Sequence, residues 1–134
     1  DIVLENGIRI EVKSAARRQA WHGDSEKTSA ITFSGLHGKR WSAETGYTEE
    51  STYNAEIYIF CLLENRERST DPLDLRCWRF WIMGRDMLAR PTVNSPMRRS
   101  ITLASLIREG VETTADDLRR QVDTLCTSLS SREY

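Results

Sequence analysis

The stretch Asp1-Ile-Val-Leu-Glu-Asn-Gly-Ile-Arg-Ile-Glu-Val-Lys-Ser14 decides the fold. Two β-rich runs, 1–4 and 8–15, flank Glu5-Asn6-Gly7, which is a hairpin signal. Two registers compete. A two-residue Asn6-Gly7 turn sets Leu4 against Arg9 and Ile2 against Glu11, mixing apolar and charged side chains on each face. A three-residue Glu5-Asn6-Gly7 loop, with Gly7 at positive φ, sets Leu4 against Ile8, Ile2 against Ile10 and Asp1 against Glu11. The second register gathers Ile2, Leu4, Ile8, Ile10 and Val12 on one face, with Asp1, Val3, Arg9, Glu11 and Lys13 on the other. A one-residue slip reverses every side chain, so burial of the apolar face selects this second register.

The polar face then carries Asp1, Glu11 and Lys13 at the spacing D-x9-E-x-K. Directly opposed residues of antiparallel strands have Cβ atoms about 4.5–5.5 Å apart, and residues i and i+2 share a face. Two carboxylates on such a hairpin converge on one divalent cation, with an ammonium beside them. Mg²⁺, or Mn²⁺ in its place, takes oxygen ligands and keeps several waters, which suits a phosphodiester substrate. Lys13 is placed to orient an attacking water or to stabilise charge in the transition state.

The same fourteen residues resemble the active-site hairpin of the PD-(D/E)XK nuclease superfamily, which includes restriction endonucleases and Holliday-junction resolvases. In that resemblance Asp1 matches the first acid, and Glu11 and Lys13 match the (D/E)XK half. Gln19 corresponds to the glutamine that some members place soon after the lysine. What the resemblance implies is an α/β, restriction-endonuclease-like core: a mixed central β-sheet flanked by helices, cutting DNA with Mg²⁺. The chain departs from the pattern at its start, where neither the motif's proline nor the helix ahead of the acidic strand is present. The chain opens at Asp1 without an initiator Met, which reads as trimming or as a piece of a longer protein.

Outward from the hairpin the pattern is less regular. Residues 15–21 read as a short helical turn, and 29–36 as a strand around Ile31-Thr32-Phe33. Residues 37–52, rich in Gly, Ser, Thr and Glu, read as a loop. The run 55–63 is apolar on both faces, the mark of a central covered strand. Residues 76–83 form a second strand, paired with it as a long-looped hairpin and ended by Gly84. A helical turn follows at 85–89, stopped by Arg90-Pro91. Residues 100–108 read as a helix capped by Ser100 and closed by Gly110. The last helix, 114–129, has Thr114 as its cap and Leu118, Val122, Leu125 and Leu129 on one face.

At 134 residues the chain is the size of one domain. No run approaches the roughly 20 apolar residues of a membrane span, so no membrane partner is expected. Nineteen basic residues against twenty acidic leave a net charge of −1. Neither half carries the positive excess of a protein that binds nucleic acid by charge alone. DNA contact must come from a local patch, for which Arg17, Arg18, Lys39 and Arg40 are the candidates, or be bridged by a metal ion. Trp21 or Trp41 could stack on a base, although core packing is the better reading of the tryptophans. Cys61, Cys77 and Cys126 form no CxxC pair and read as buried thiols in a reducing cytoplasm. His22 and His37 are better read as loop histidines than as zinc ligands, and Glu56 as a strand-end surface residue. The segment from Arg98 through the last helix superficially resembles a helix-turn-helix, but the apolar spacing of its second helix suits packing on a sheet.

Two readings of function follow, beside a third in which the chain is an unrelated α/β domain whose hairpin charges only solubilise it. The first is a Mg²⁺-dependent DNA endonuclease, acting alone, as a homodimer or within a larger parent protein. The second is a non-catalytic module of nuclease-like fold that binds nucleic acid or protein.

Overall fold

The computed structural model describes residues 2–18, 30–39, 41–48, 52–65, 67, 69–90 and 98–131. Asp1, Gln19, Trp21, His22 and Arg40 lie outside the described residues. The hairpin takes the three-residue-loop register. Strand β1 (Ile2–Val3) runs antiparallel to β2 (Arg9–Ala16), with Ile2 opposite Ile10 and Val3 opposite Arg9. Leu4 N–H donates to the Ile8 carbonyl and Gly7 N–H to the Leu4 carbonyl, each at 2.9 Å. Gly7 holds φ at 84°, where an L-residue is strained, and the Asn6 side chain accepts from Ile8 N–H at 3.0 Å.

The remaining elements are β3 (Thr32–Phe33), β4 (Trp41–Ser42), β5 (Gly46–Tyr47), β6 (Ile57–Leu63), a 3-10 turn (Leu75–Cys77) that takes Arg76 and Cys77 out of the expected strand, β7 (Trp78–Gly84), α1 (Arg85–Leu88), β8 (Ile101–Thr102), α2 (Leu103–Glu109), β9 (Val111–Thr113) and α3 (Leu118–Ser130). The result is an α/β fold around a mixed five-stranded sheet in the order β1-β2-β6-β7-β9. Strands β2 and β6 are parallel and the other neighbours antiparallel. The apolar run of β6 earns its central place: all but Cys61 of its seven residues are buried.

Each sheet face carries its own core. On one face Tyr58, Phe60, Leu62, Trp81 and Met83 pack under Ile31, Phe33, Leu36, Tyr53, Leu88, Ile101 and Leu106. On the other, Ile10, Ile57, Ile59 and Ile82 pack under Val122, Leu118, Leu125 and Leu129 of α3. The ladder pairs Glu11 with Tyr58, Lys13 with Phe60 and Ala15 with Leu62, so the charged side of the hairpin shares the face of the larger core. The apolar side meets α3 only in part. Leu4, Ile8 and Ile10 join that cluster, while Ile2 and Val12 stay about half exposed, at 50% and 45%.

Several expectations are corrected. Ala15 and Ala16 do not begin a helical turn, because the parallel ladder with Leu62 and Leu63 carries β2 on through them. Within residues 37–52 lies a two-stranded ribbon, β4–β5, rooted by a bridge between Gly38 and Thr52. Thr102, not Ser100, caps α2, accepting from Ser105 N–H at 3.2 Å, because Ile101 is held in extended form opposite Phe33. Thr114 caps a turn ahead of α3 rather than the helix itself, and α3 begins at Leu118. The helix-turn-helix resemblance fails because β9 lies between α2 and α3 and adds to β7 as an edge strand. The three cysteines are free thiols, each partly buried. No helix among the described residues is long and apolar enough to cross a membrane.

Candidate active site

Strand periodicity puts Glu11 and Lys13 on the same face of β2, and the tertiary fold decides what surrounds them. The Lys13 Nζ lies 2.5 Å from Glu11 Oε1, and the two side chains are only 24% and 16% exposed. Tyr58 flanks Glu11 and Phe60 flanks Lys13 across the parallel ladder; both aromatics are fully buried. The pair is therefore a partly desolvated acid–ammonium dyad at the margin of a core, where charge interactions are stronger than on an open strand.

The segment after β3 forms its roof. Phe33 packs edge-on to Phe60 with ring centroids 5.2 Å apart, and Leu36 is buried. Gly35, at φ 69°, turns the chain directly over the dyad: a Cβ built on it would lie 3.4 Å from Lys13 Nζ. The Tyr58 hydroxyl donates to the Leu36 carbonyl at 3.4 Å. Burial, with the Glu11 carboxylate as a lesser cause, raises the Tyr58 pKa and keeps the phenol protonated.

Behind the roof, His37 stands edge-on to Tyr53 at 4.2 Å, and the Tyr53 hydroxyl donates to the Arg98 carbonyl at 2.6 Å. Burial, and then the charge of Arg99, lowers the His37 pKa, so the imidazole is neutral at pH 7. Its Nε2 is buried without a hydrogen-bond partner among the described residues. Arg98 is itself buried and makes a two-pronged pair with Glu109, at 2.9 and 2.8 Å. The Arg99 carbonyl accepts from Leu36 N–H at 3.1 Å, so this segment carries the far side of the roof.

The arginines expected on DNA have other engagements. Arg17 forks onto Glu64 at 3.0 and 3.2 Å; Glu64 also takes Arg79 at 3.4 Å, and Arg79 forks onto Glu112. These four side chains form a ladder of alternating charge from the residues just after β2 and β6 to β7 and β9, on the dyad's face. Asn65 fastens the Arg18 backbone by accepting its N–H and donating to its carbonyl, both at 2.9 Å. Lys39 is exposed at the root of the β4–β5 ribbon. Glu56 accepts Arg9 N–H at 2.7 Å and so works as a strand-end clamp.

Asp1, Gln19 and Arg40 lie outside the described residues, so of the expected catalytic set the fold brings together Glu11 and Lys13. No group of three or more His, Cys, Asp or Glu gathers among the described residues. The Glu11 side chain, held at one oxygen by Lys13, is only 16% exposed. That hard, partly desolvated carboxylate is the donor type a Mg²⁺ ion accepts, since Mg²⁺ binds through one or two carboxylates plus substrate oxygens and waters. The apolar cleft lined by Met87, Val111 and Leu125 contains neither Glu11 nor Lys13.

Sequence reading missed Gly35, Tyr58 and the Arg98–Glu109 pair as parts of this neighbourhood. The parity of 58 with 60 and 62 in β6 was a readable signal for Tyr58; the other two depend on contacts between distant segments. Comparison with known proteins finds no matching family model, no similar curated protein and no similar solved structure.

Proposed function

We propose that this chain is a metal-dependent phosphodiesterase acting on DNA, with Glu11 and Lys13 at its centre and Asp1 as the second acid. The observation that carries the reading is the dyad itself: an acid and an amine in contact, partly desolvated, on one face of a strand inside a mixed α/β sheet. A bystander ion pair on a solvated strand gains little, typically about 0–1 kcal/mol, and has no need of a roof. Glu11, with Asp1, would hold a Mg²⁺ ion, which when bound polarises the phosphate and lowers the pKa of a coordinated water. Lys13 meets the phosphate oxygens or the attacking water, and its contact with Glu11 keeps the amine aimed. The Gly35 roof excludes bulk water from one side of the pair.

The test is cleavage of plasmid and oligonucleotide DNA by purified protein with Mg²⁺ or Mn²⁺. Glu11→Gln and Lys13→Met are each expected to abolish cutting while the circular dichroism spectrum is retained. Unchanged cutting by both variants refutes the assignment.

A second reading, a non-catalytic binding module, draws support from the charge distribution. The net charge is −1, and the Arg17 and Arg79 guanidiniums are neutralised by Glu64 and Glu112. It predicts no cleavage with any divalent ion. If that module holds DNA through phosphates, its affinity falls steeply with salt.

A further inference from the structure

The β4–β5 ribbon projects two large aromatics that no core holds. Trp41 and Tyr47 are directly opposed across the ribbon, so both rings stand on one face. They are 63% and 71% exposed. The tip is braced: the hydroxyls of Ser42 and Thr45 lie 2.7 Å apart, and Thr45 N–H donates to Ser42 Oγ at 3.1 Å. The root is tied by two backbone hydrogen bonds between Gly38 and Thr52, at 2.9 and 3.0 Å, and by Asn54 donating to the Gly38 carbonyl. Three residues before that root sits Gly35, against the Lys13 amine. The ribbon is thus a braced arm continuous with the roof of the dyad. In the sequence Lys39 and Arg40 precede Trp41, while Glu44 occupies the tip.

We propose that this ribbon is a base-stacking element, and that the substrate of the Glu11–Lys13 site is DNA with unpaired bases beside the phosphate to be cut. The proposal rests on the nuclease reading of that site and names its substrate class. Every base offers a flat π-face, and two rigid aromatics meet such faces at small entropic cost. In an intact duplex those faces are covered by neighbouring base pairs. A chain of net charge −1, with Arg17 held by Glu64, lacks the positive field that grips a duplex through phosphates alone. Stacking supplies affinity without that field, and Lys39 adds an exposed cation beside the ribbon's root.

The experiment is fluorescence anisotropy of the whole chain with a labelled 20-nucleotide single strand and with its blunt duplex, in EDTA so that nothing is cut. The wild type is expected to bind the single strand more tightly than the duplex. Trp41→Ala and Tyr47→Ala should each weaken single-strand binding by roughly 5- to 150-fold, the range for one base–aromatic contact, and the double variant by more than either. Duplex binding should stay the same, as should the dependence of affinity on salt, because no ion pair is lost. Trp41→Phe should retain most of the affinity, and unchanged melting temperatures should show that the surface substitutions leave the fold intact. Equal single-strand affinity for wild type and double variant overturns the proposal. So does equal wild-type affinity for strand and duplex, or an absence of oligonucleotide binding, which would assign the ribbon to a protein partner. Binding that behaves as expected, alongside a wild type that cuts nothing, upholds the stacking role and removes the nuclease reading instead.

Discussion

Replacing Glu109 by Gln tests whether the Arg98 anchor holds the roof over the dyad. The Arg98 side chain is 9% exposed and that of Glu109 28%. Arg98 Nε is already buried without a partner among the described residues. Gln keeps the shape of the carboxylate and one acceptor oxygen, but it leaves the guanidinium charge uncompensated. Removing one partner of a fully buried pair costs about 3–5 kcal/mol; partial exposure of Glu109 and the surviving hydrogen bond bring the expectation to about 2 kcal/mol. For a chain of this length that is a fall in Tm of about 6–10 °C. Adding Arg98→Met to Glu109→Leu removes both charges and should recover to within about 1 kcal/mol of the wild type. Arg98 holds the Glu109 carboxyl below its ordinary value of 4.5. A depressed carboxylate pKa contributes stability that is present above 4.5 and lost as pH falls through the lowered value. The gap between wild type and Glu109→Gln should therefore narrow in melts taken below pH 4.5. A Glu109→Gln melt within 1 °C (roughly 0.3 kcal/mol) of wild type at pH 7, or a double variant no better than the single, refutes the reasoning.

Three further outcomes are expected. Gly7→Ala should lose about 1–2 kcal/mol in a urea melt, because φ of 84° strains an L-residue although nothing lies within 4 Å of the added Cβ; Gly7→Asn should lose less, and an equal loss for both would point away from backbone strain. Leu106→Ala should lose about 2–5 kcal/mol, since the side chain is fully buried between α2 and the sheet; a loss under 1 kcal/mol would mean that α2 is not packed there. Burial pushes the Cys61 thiol up to about 11, so at pH 8 only about one molecule in a thousand carries the thiolate. Alkylation followed by mass spectrometry should find Cys61 protected in the native protein and labelled after denaturation; native labelling at the denatured rate would contradict that burial.

Much of the fold was legible because it rests on local rules. The Glu5-Asn6-Gly7 loop, the uninterrupted apolar run of β6, its pairing with β7 and the apolar stripe of α3 each follow from a turn residue or a period within one short window. The parity that puts Glu11 and Lys13 side by side is a rule of that kind. The elements that were misjudged are short pieces whose state is set by a distant partner. Val111–Thr113 is a strand because β7 offers an open edge, and Ile101 is extended because Phe33 faces it.

The sequence by itself therefore determined the hairpin register, the acid–amine spacing and the pairing of β6 with β7, because turn geometry and side-chain alternation act over a few residues. The side of the sheet that bears the larger core was decided only by the tertiary structure. Patterning predicted that the apolar face of the hairpin would be the buried one. Yet α3 reaches only Leu4, Ile8 and Ile10 on that face, while the segment from Ile31 to Leu36 closes over the charged face instead. Glu11 and Lys13 owe their partial desolvation to that closure, through a parallel crossover and a roof whose segments lie far from β2 in the chain, and no local period encodes such a contact.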